Sequence, residues 1–208
     1  MSRAHRTVIA VLGVALAALL GVGVWASIRA SIWQDRPTAM TGTANDYSLA
    51  GDGWPVESLT AARQRAQLLA DRLGLRTGEV IQFSNGFHVQ LLDTDGRGAV
   101  EVLVDPVDGT VALEHGPAIM WNTRVGMPHA GLGTAARISP PAAQRLAQQW
   151  LDDQRPGLTA RAPELFPGYY TLETARGESV VGMLSINAFT GTVWYHTWHG
   201  SFVGLSEE

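Results

Sequence analysis

Cysteine is absent from all 208 positions, which rules out disulfides, zinc–thiolate knuckles, thiol catalysis and a lipidated cysteine anchor. The compartment stays open, because a disulfide-free domain folds on either side of a membrane. Basic charge is also scarce: 15 Lys+Arg against 19 Asp+Glu give a formal net charge of -4, and charged residues make up only 16% of the chain. With no basic surface to displace counterions from phosphate, a nucleic-acid partner is excluded. Catalytic signatures are missing too. There is no HExxH, GxSxG, Walker phosphate loop or GxGxxG, and Gly96-Arg97-Gly98 reads as a turn. Ser, His and Asp occur, but no motif orders them as nucleophile, base and orienter. The paired carboxylates Asp93/Asp95 and Asp152/Asp153 fall at turns or at a helix end, where solvation and turn chemistry account for them. These absences lead us to expect a protein that is not an enzyme. A hydrolase of unfamiliar type is the weaker alternative, and a histidine-to-alanine scan would abolish its turnover.

What is present begins with an apolar run. Residues 8–26 carry no charge and no strongly polar side chain, and as a helix they would span about 28 Å, close to the hydrocarbon core. Arg3 and Arg6 precede the run and the next charge is Arg29, so the short leading end is expected in the cytoplasm. Trp25 and Trp33 suit the outer interface. A cleaved signal peptide is the alternative, with Val24 and Ala26 as small residues at the cleavage site, but the run exceeds the usual h-region. Both readings place the rest outside the cytoplasm. The first gives a single-pass cell-membrane protein with an anchor over 1–33 and an extracytoplasmic C-terminal domain.

Residues 34–57 lack an apolar period and read as a linker. From Ser58, a plain N-cap, Ala62, Ala66, Leu69, Ala70 and Leu73 recur at helical spacing until Gly74. Four short segments follow, separated by Asn85-Gly86, Asp95-Gly96 and Asp108-Gly109, the dipeptides of tight hairpins. On the third, Val100, Val102 and Val104 face one side while Glu101 and Leu103 face the other. A helix followed by an antiparallel meander is α+β. The plan then recurs. Ser139-Pro140-Pro141 starts a second helix with Ala143, Leu146, Ala147, Trp150 and Leu151 on one stripe, and Arg155-Pro156-Gly157 ends it. Strand-like YYTLET, VVGMLSIN and TVWYHTW follow. A shift of 82 residues places Gly86 on Gly168 and Gly109-Thr110-Val111 on Gly191-Thr192-Val193, the mark of a tandem repeat. The expected organisation is unit one over 58–115, a connection over 116–137 and unit two over 138–208. A connection of that length without secondary-structure signals is a place to look for contact between the units.

Each helix leads into a hairpin phrase, EVLVDPVDGTV (101–111) and MLSINAFTGTVW (183–194). These resemble the PepSY-domain family of peptidase propeptides and YpeB-like proteins, whose hairpin is a strand–Asp–x–x–Thr–Gly–x–Val–strand. Two positions depart from it: Asp108 stands where Thr is frequent, and Asn187 where Asp is usual. Both still support tight turns. The resemblance implies two α+β units, each a helix on a small antiparallel sheet. It also implies a regulatory role in the cell envelope, restraining a peptidase or binding a peptide.

The residue types suggest two further chemistries. Aromatic and polar residues that could form a binding surface are Trp121, Asn122 and Arg124 in the connection, with Tyr169, Tyr170, Trp194 and Trp198 in the second unit. Burial in the core is the competing reading for these aromatics. Five histidines fall in the extracytoplasmic part: His88, His115, His129, His196 and His199. An alternative function is an envelope metal protein of copper type, using His196, His199, His129 and Met127. His196 and His199 can share an ion only if the chain turns there, because strand residues three apart point to opposite faces. Otherwise the histidines serve as packing and no cofactor is expected.

Overall fold

The computed structural model describes residues 47–125 and 135–206. The apolar run at 8–26, together with Met127 and His129, lies outside those residues. Among the described residues no helix is long and apolar enough to cross a membrane.

The architecture is mixed α+β with antiparallel sheets. Helix α1 (Leu59–Leu73) leads into β1 (Arg76–Phe83), β2 (Gly86–Leu92), β3 (Gly98–Val104) and β4 (Val111–Leu113). A one-turn helix α2 (Pro117–Met120) follows, then α3 (Pro140–Gln154). The remaining strands are β5 (Thr159–Ala160), β6 (Glu164–Phe166), β7 (Tyr169–Arg176), β8 (Ser179–Asn187), β9 (Val193–Tyr195) and β10 (Phe202–Ser206). The first sheet runs β10-β1-β2-β3-β4; the second runs β5-β7-β8-β9, with β6 also paired to β7.

Local chemistry sets both helices. The Ser58 side chain accepts from the Ala61 amide at 3.2 Å to open α1, and Gly74, in the left-handed region at φ 66°, closes it. Ser139 opens α3 without a side-chain cap, with proline supplying the first-turn φ. The stripe of α1 (Ala62, Ala66, Leu69, Ala70) packs on Val89, Val100, Val102 and Val104 of the first sheet. The stripe of α3 (Ala143, Ala147, Leu151) packs on Leu172, Leu184 and Ile186 of the second. A fully buried leucine such as Leu69 or Leu151 contributes about 2 kcal/mol in each case. The faces turned away from the helices meet each other: Met183 of β8 packs with Ile81 and Phe83 of β1. The layers are therefore helix, sheet, sheet, helix.

The two halves repeat their fastenings. In α1, Gln67 accepts from the Thr77 amide at 3.1 Å and donates to Asp71 at 2.6 Å. In α3, Gln148 accepts from the Ala160 amide at 2.9 Å and donates to Asp152 at 2.8 Å. The hairpin phrases also match. Asp105 and Asn187 each take a backbone bond from the residue four ahead, Gly109 and Gly191, both at positive φ.

Several boundaries need correction. Residues 47–56 of the expected linker lie on the first sheet, where Leu49 bridges to Val111 and the Val56 amide donates to Pro106 at 3.0 Å. Tyr47, Leu49 and Val56 are apolar, and they cover the β4 edge that would otherwise expose unpaired backbone. The segment TVWYHTW is not one strand, since β9 stops at Tyr195 and the chain turns. The end of the stretch assigned to unit two crosses back: β10 pairs with β1 and completes the first sheet. Within the connection, the Thr123 amide donates to Pro167 at 3.0 Å, joining it to the second half. The Trp121 carbonyl also packs against Gly168, where φ is 97° and a side chain would collide.

Candidate functional site

Where the two sheets face each other the core is polar. In β2, Phe87, Val89 and Leu91 point to α1, so His88 points to the second sheet; in β3 the valines do the same and Glu101 follows His88. Glu114 comes one residue after β4, its amide bonded to the Glu101 carbonyl at 2.9 Å. From the second sheet come Thr171 of β7, Ser185 of β8 and His196, one residue after β9, its amide bonded to the Met183 carbonyl at 3.0 Å. Glu114 and His196 thus each lie one residue past a short strand with the amide bonded to the neighbouring strand, and they are 82 positions apart.

These six side chains close a ring. His88 Nε2 is 3.1 Å from Glu101 Oε1, and the Thr171 hydroxyl donates to Glu101 Oε2 at 2.8 Å. Thr171 and Ser185 hydroxyls are 3.1 Å apart, and Ser185 Oγ is 2.9 Å from His196 Nε2. His196 Nδ1 is 3.2 Å from Glu114 Oε1, and Glu114 Oε2 returns to His88 Nε2 at 3.7 Å. His199 adds a seventh member, its Nε2 at 2.9 Å from Glu114 Oε1, and its ring stacks on Phe83 at 4.2 Å. His88, Glu101, Glu114, Thr171, Ser185 and His196 are all buried.

Ionisation follows the geometry. Burial works against the His88 cation, but Glu114 and the Glu101 contacts outweigh it and raise His88 to about 9. Burial favours a neutral Glu114, yet His196 and His88, with hydrogen bonds from His196 and His199, hold its carboxyl well below the usual range. Burial and the Glu114 charge push Glu101 up. Burial also dominates at His199, which falls to about 4 despite the Glu114 contact. Buried Tyr169 is pushed well above the usual phenol range, first by burial and then by the Glu101 charge.

The signs predict how stability varies with pH in chelator-treated protein. The folded value of His88 lies above its ordinary 6.5, so its contribution is complete below 6.5 and is lost as pH rises through about 9. The folded value of His199 lies below 6.5, so its contribution is complete above 6.5 and is lost as pH falls through about 4. Thermal unfolding should therefore peak near pH 6–7, with each limb worth about 3 kcal/mol. A profile flat between about pH 5 and 9 would contradict this.

Ser185, His196 and Glu114 are linked like a serine-hydrolase triad, but the bond directions oppose that use. Thr171 gives its proton to Glu101, so Ser185 must give its own to Thr171 and receive His196 Nε2–H. A triad requires the opposite, a serine proton directed at the imidazole. Ser185 is also fully buried.

The residues expected at a binding surface separate into two groups. Tyr169 is buried and stacked on Phe166 at 5.3 Å, and Tyr170 is buried with its hydroxyl donating to the Ile138 carbonyl at 2.6 Å. Asn122 is buried, donating to Ala99 and accepting from the Arg124 and Val125 amides, which makes it a turn-former. These three are therefore core residues rather than surface ones. The three tryptophans do converge: Trp121 meets Trp194 at 5.5 Å and Trp194 meets Trp198 at 6.4 Å, both edge-on. Trp194 is 37% exposed. Beneath the rings lies Gly116, where a Cβ would come within 3.1 Å of Trp194. Arg124 is exposed.

Of the residues expected to hold metal, His196 and His199 are brought together by the turn after β9, with Nδ1 and Nε2 3.4 Å apart. Their described companion is Glu114, not a thioether. Sequence reasoning did not place His88, Glu101 and Glu114 in the site. The signals were there: a carboxylate and a histidine on the face opposite the valines, and Glu114 falling on His196 under the repeat shift.

No family model matches the chain, and no curated protein does. Among solved structures, the Bacillus megaterium YpeB C-terminal domain is similar, at 14% identity and a TM-score of 0.35. The match covers 68% of this chain and 66% of that one, so this chain spans just under two thirds of that domain.

Proposed function

We propose that the protein is a non-enzymatic binding or regulatory module of the cell envelope. In this reading residues 8–26 anchor it in the membrane, the two α+β halves are PepSY-like copies outside the cytoplasm, and it binds a peptide or restrains a peptidase. The observation that carries the binding function is the tryptophan patch. Trp194 and Trp198 lie over Gly116 and Trp121 packs edge-on against Trp194, which is partly open to solvent. Indoles in such clusters supply large contact area at low entropic cost and dominate binding hot spots. Among the described residues, the Ser185–His196–Glu114 group of triad type is sealed between the sheets, which favours binding over turnover.

A photo-crosslinking residue at position 194 tests this in cells, with position 68 as the exposed control. The reading predicts an adduct with one envelope peptidase or peptide from position 194 and not from position 68. Trp194→Ala should weaken that partner at least about thirtyfold while leaving the fold intact. Equal labelling from both positions, or an unchanged affinity in the variant, would count against the patch.

A further inference from the structure

We propose that Glu114, His196 and His199 bind one divalent cation of zinc type between the two sheets. With Thr171 donating to Glu101 and Ser185 donating to Thr171, Ser185 accepts from His196 Nε2–H. In the neutral imidazole this leaves the lone pair of His196 on Nδ1, aimed at Glu114 Oε1 3.2 Å away. Two acceptors at that distance repel unless a positive charge sits between them, either a proton or a metal ion.

Three observations favour the ion. The three ligand atoms lie 2.9, 3.2 and 3.4 Å from one another. The edge of a zinc tetrahedron is about 3.4 Å, so the triangle need open by only about 0.2–0.5 Å on its Glu114 sides. Glu114 Oε2 is fully buried and has no hydrogen-bond partner, a costly lone pair that bidentate ligation would use. The outer shell is already built. His196 donates its other ring nitrogen through Ser185 and Thr171 to a carboxylate, the arrangement that orients a metal-bound imidazole. His199 Nε2 is 2.9 Å from Glu114 Oε1 and 3.4 Å from His196 Nδ1, so ligation through that atom needs only the tautomer that keeps the ring proton on Nδ1. His88 is not counted among the ligands, because its Nε2 is taken up by Glu101 Oε1 at 3.1 Å and lies 3.7 Å from Glu114 Oε2. Two imidazoles and a carboxylate suit Zn²⁺ or Cu²⁺, whereas Cu⁺ prefers sulfur.

The test uses the full chain without a histidine tag, stripped with chelator and titrated with Zn²⁺, with Co²⁺ as spectroscopic probe. The proposal predicts one Zn²⁺ per chain by native mass spectrometry. It also predicts an intense visible Co²⁺ band of tetrahedral type that Zn²⁺ abolishes. X-ray absorption at the zinc edge should show two imidazoles, oxygen and no sulfur, a readout that needs no variant. His199→Ala, checked for folding by circular dichroism, should lose at least tenfold in Zn²⁺ affinity, and His129→Ala should lose nothing. The absence of a stoichiometric ion would assign the gap to a proton and overturn the proposal. So would a sulfur ligand, or loss of the ion in His129→Ala.

Discussion

Replacing Glu114 with alanine is expected to destabilise the folded chain by about 3–5 kcal/mol, the cost of removing one partner from a buried ion pair. The carboxylate answers three imidazoles at once: His199 at 2.9 Å, His196 at 3.2 Å and His88 at 3.7 Å. None of the three turns freely to water, because His88 and His196 are buried and the His199 side chain is only 5% exposed. Without Glu114, His88 keeps only Glu101 as a close counterion, and the His196 Nδ1 position loses its acceptor. Urea unfolding should show the loss as a lower midpoint with an unchanged slope. Glu114→Gln, which keeps a hydrogen-bonding oxygen but not the charge, should lose less. A loss under about 1 kcal/mol for the alanine variant would mean that water reaches the cluster and the sheets do not seal it.

Ending the chain at Gly200 is the second large effect. The deletion removes β10, which pairs with β1 through Val80, Ile81, Gln82 and Phe83 and lays Phe202 and Leu205 over Ile81, Phe83 and Met183. Loss of two such side chains costs about 3 kcal/mol or more before the unpaired β1 edge is counted. The deletion also removes Ser201, whose amide donates to Ser84 Oγ at 3.1 Å and whose carbonyl accepts from the Ser84 amide at 2.8 Å, so the turn carrying His196 and His199 would be held at this end only through Asn85. The expected outcome is a lower thermal midpoint together with aggregation through the exposed strand. A truncated protein that unfolds at the same temperature would show that β10 is peripheral to the fold.

Most of the framework was legible because it is local. Ser58 and Gly74 bracket α1, and Ser139-Pro140 and Arg155 bracket α3. Asn85-Gly86 and Asp108-Gly109 mark turns, and the alternation in β3 separates valines from Glu101. What sequence reading missed depends on contacts far apart along the chain. The pairing of β10 with β1 joins residues more than a hundred positions apart, and no spacing records it. The run from Val193 to Trp198 alternates like a strand, but His196 is drawn inward to Glu114 and the strand ends at Tyr195. Tyr169 and Tyr170 looked suited to a surface because aromatic residues serve both roles. Stacking on Phe166 and the bond to Ile138 decide for the core. The cluster itself was half visible. His196 and His199 stood out by type, whereas Glu114 gains meaning only when the repeat shift lays it on His196 and the two sheets are brought face to face.

The central claim is that a Glu114–His196 contact ties the two halves together within a sealed polar core. A double-mutant cycle on Glu114→Ala and His196→Ala, read by urea unfolding of chelator-treated protein, tests it most directly. The account predicts a coupling of about 2 kcal/mol or more, with the double variant far less damaged than the sum of the single variants. Additive losses, within about 0.5 kcal/mol, would contradict it.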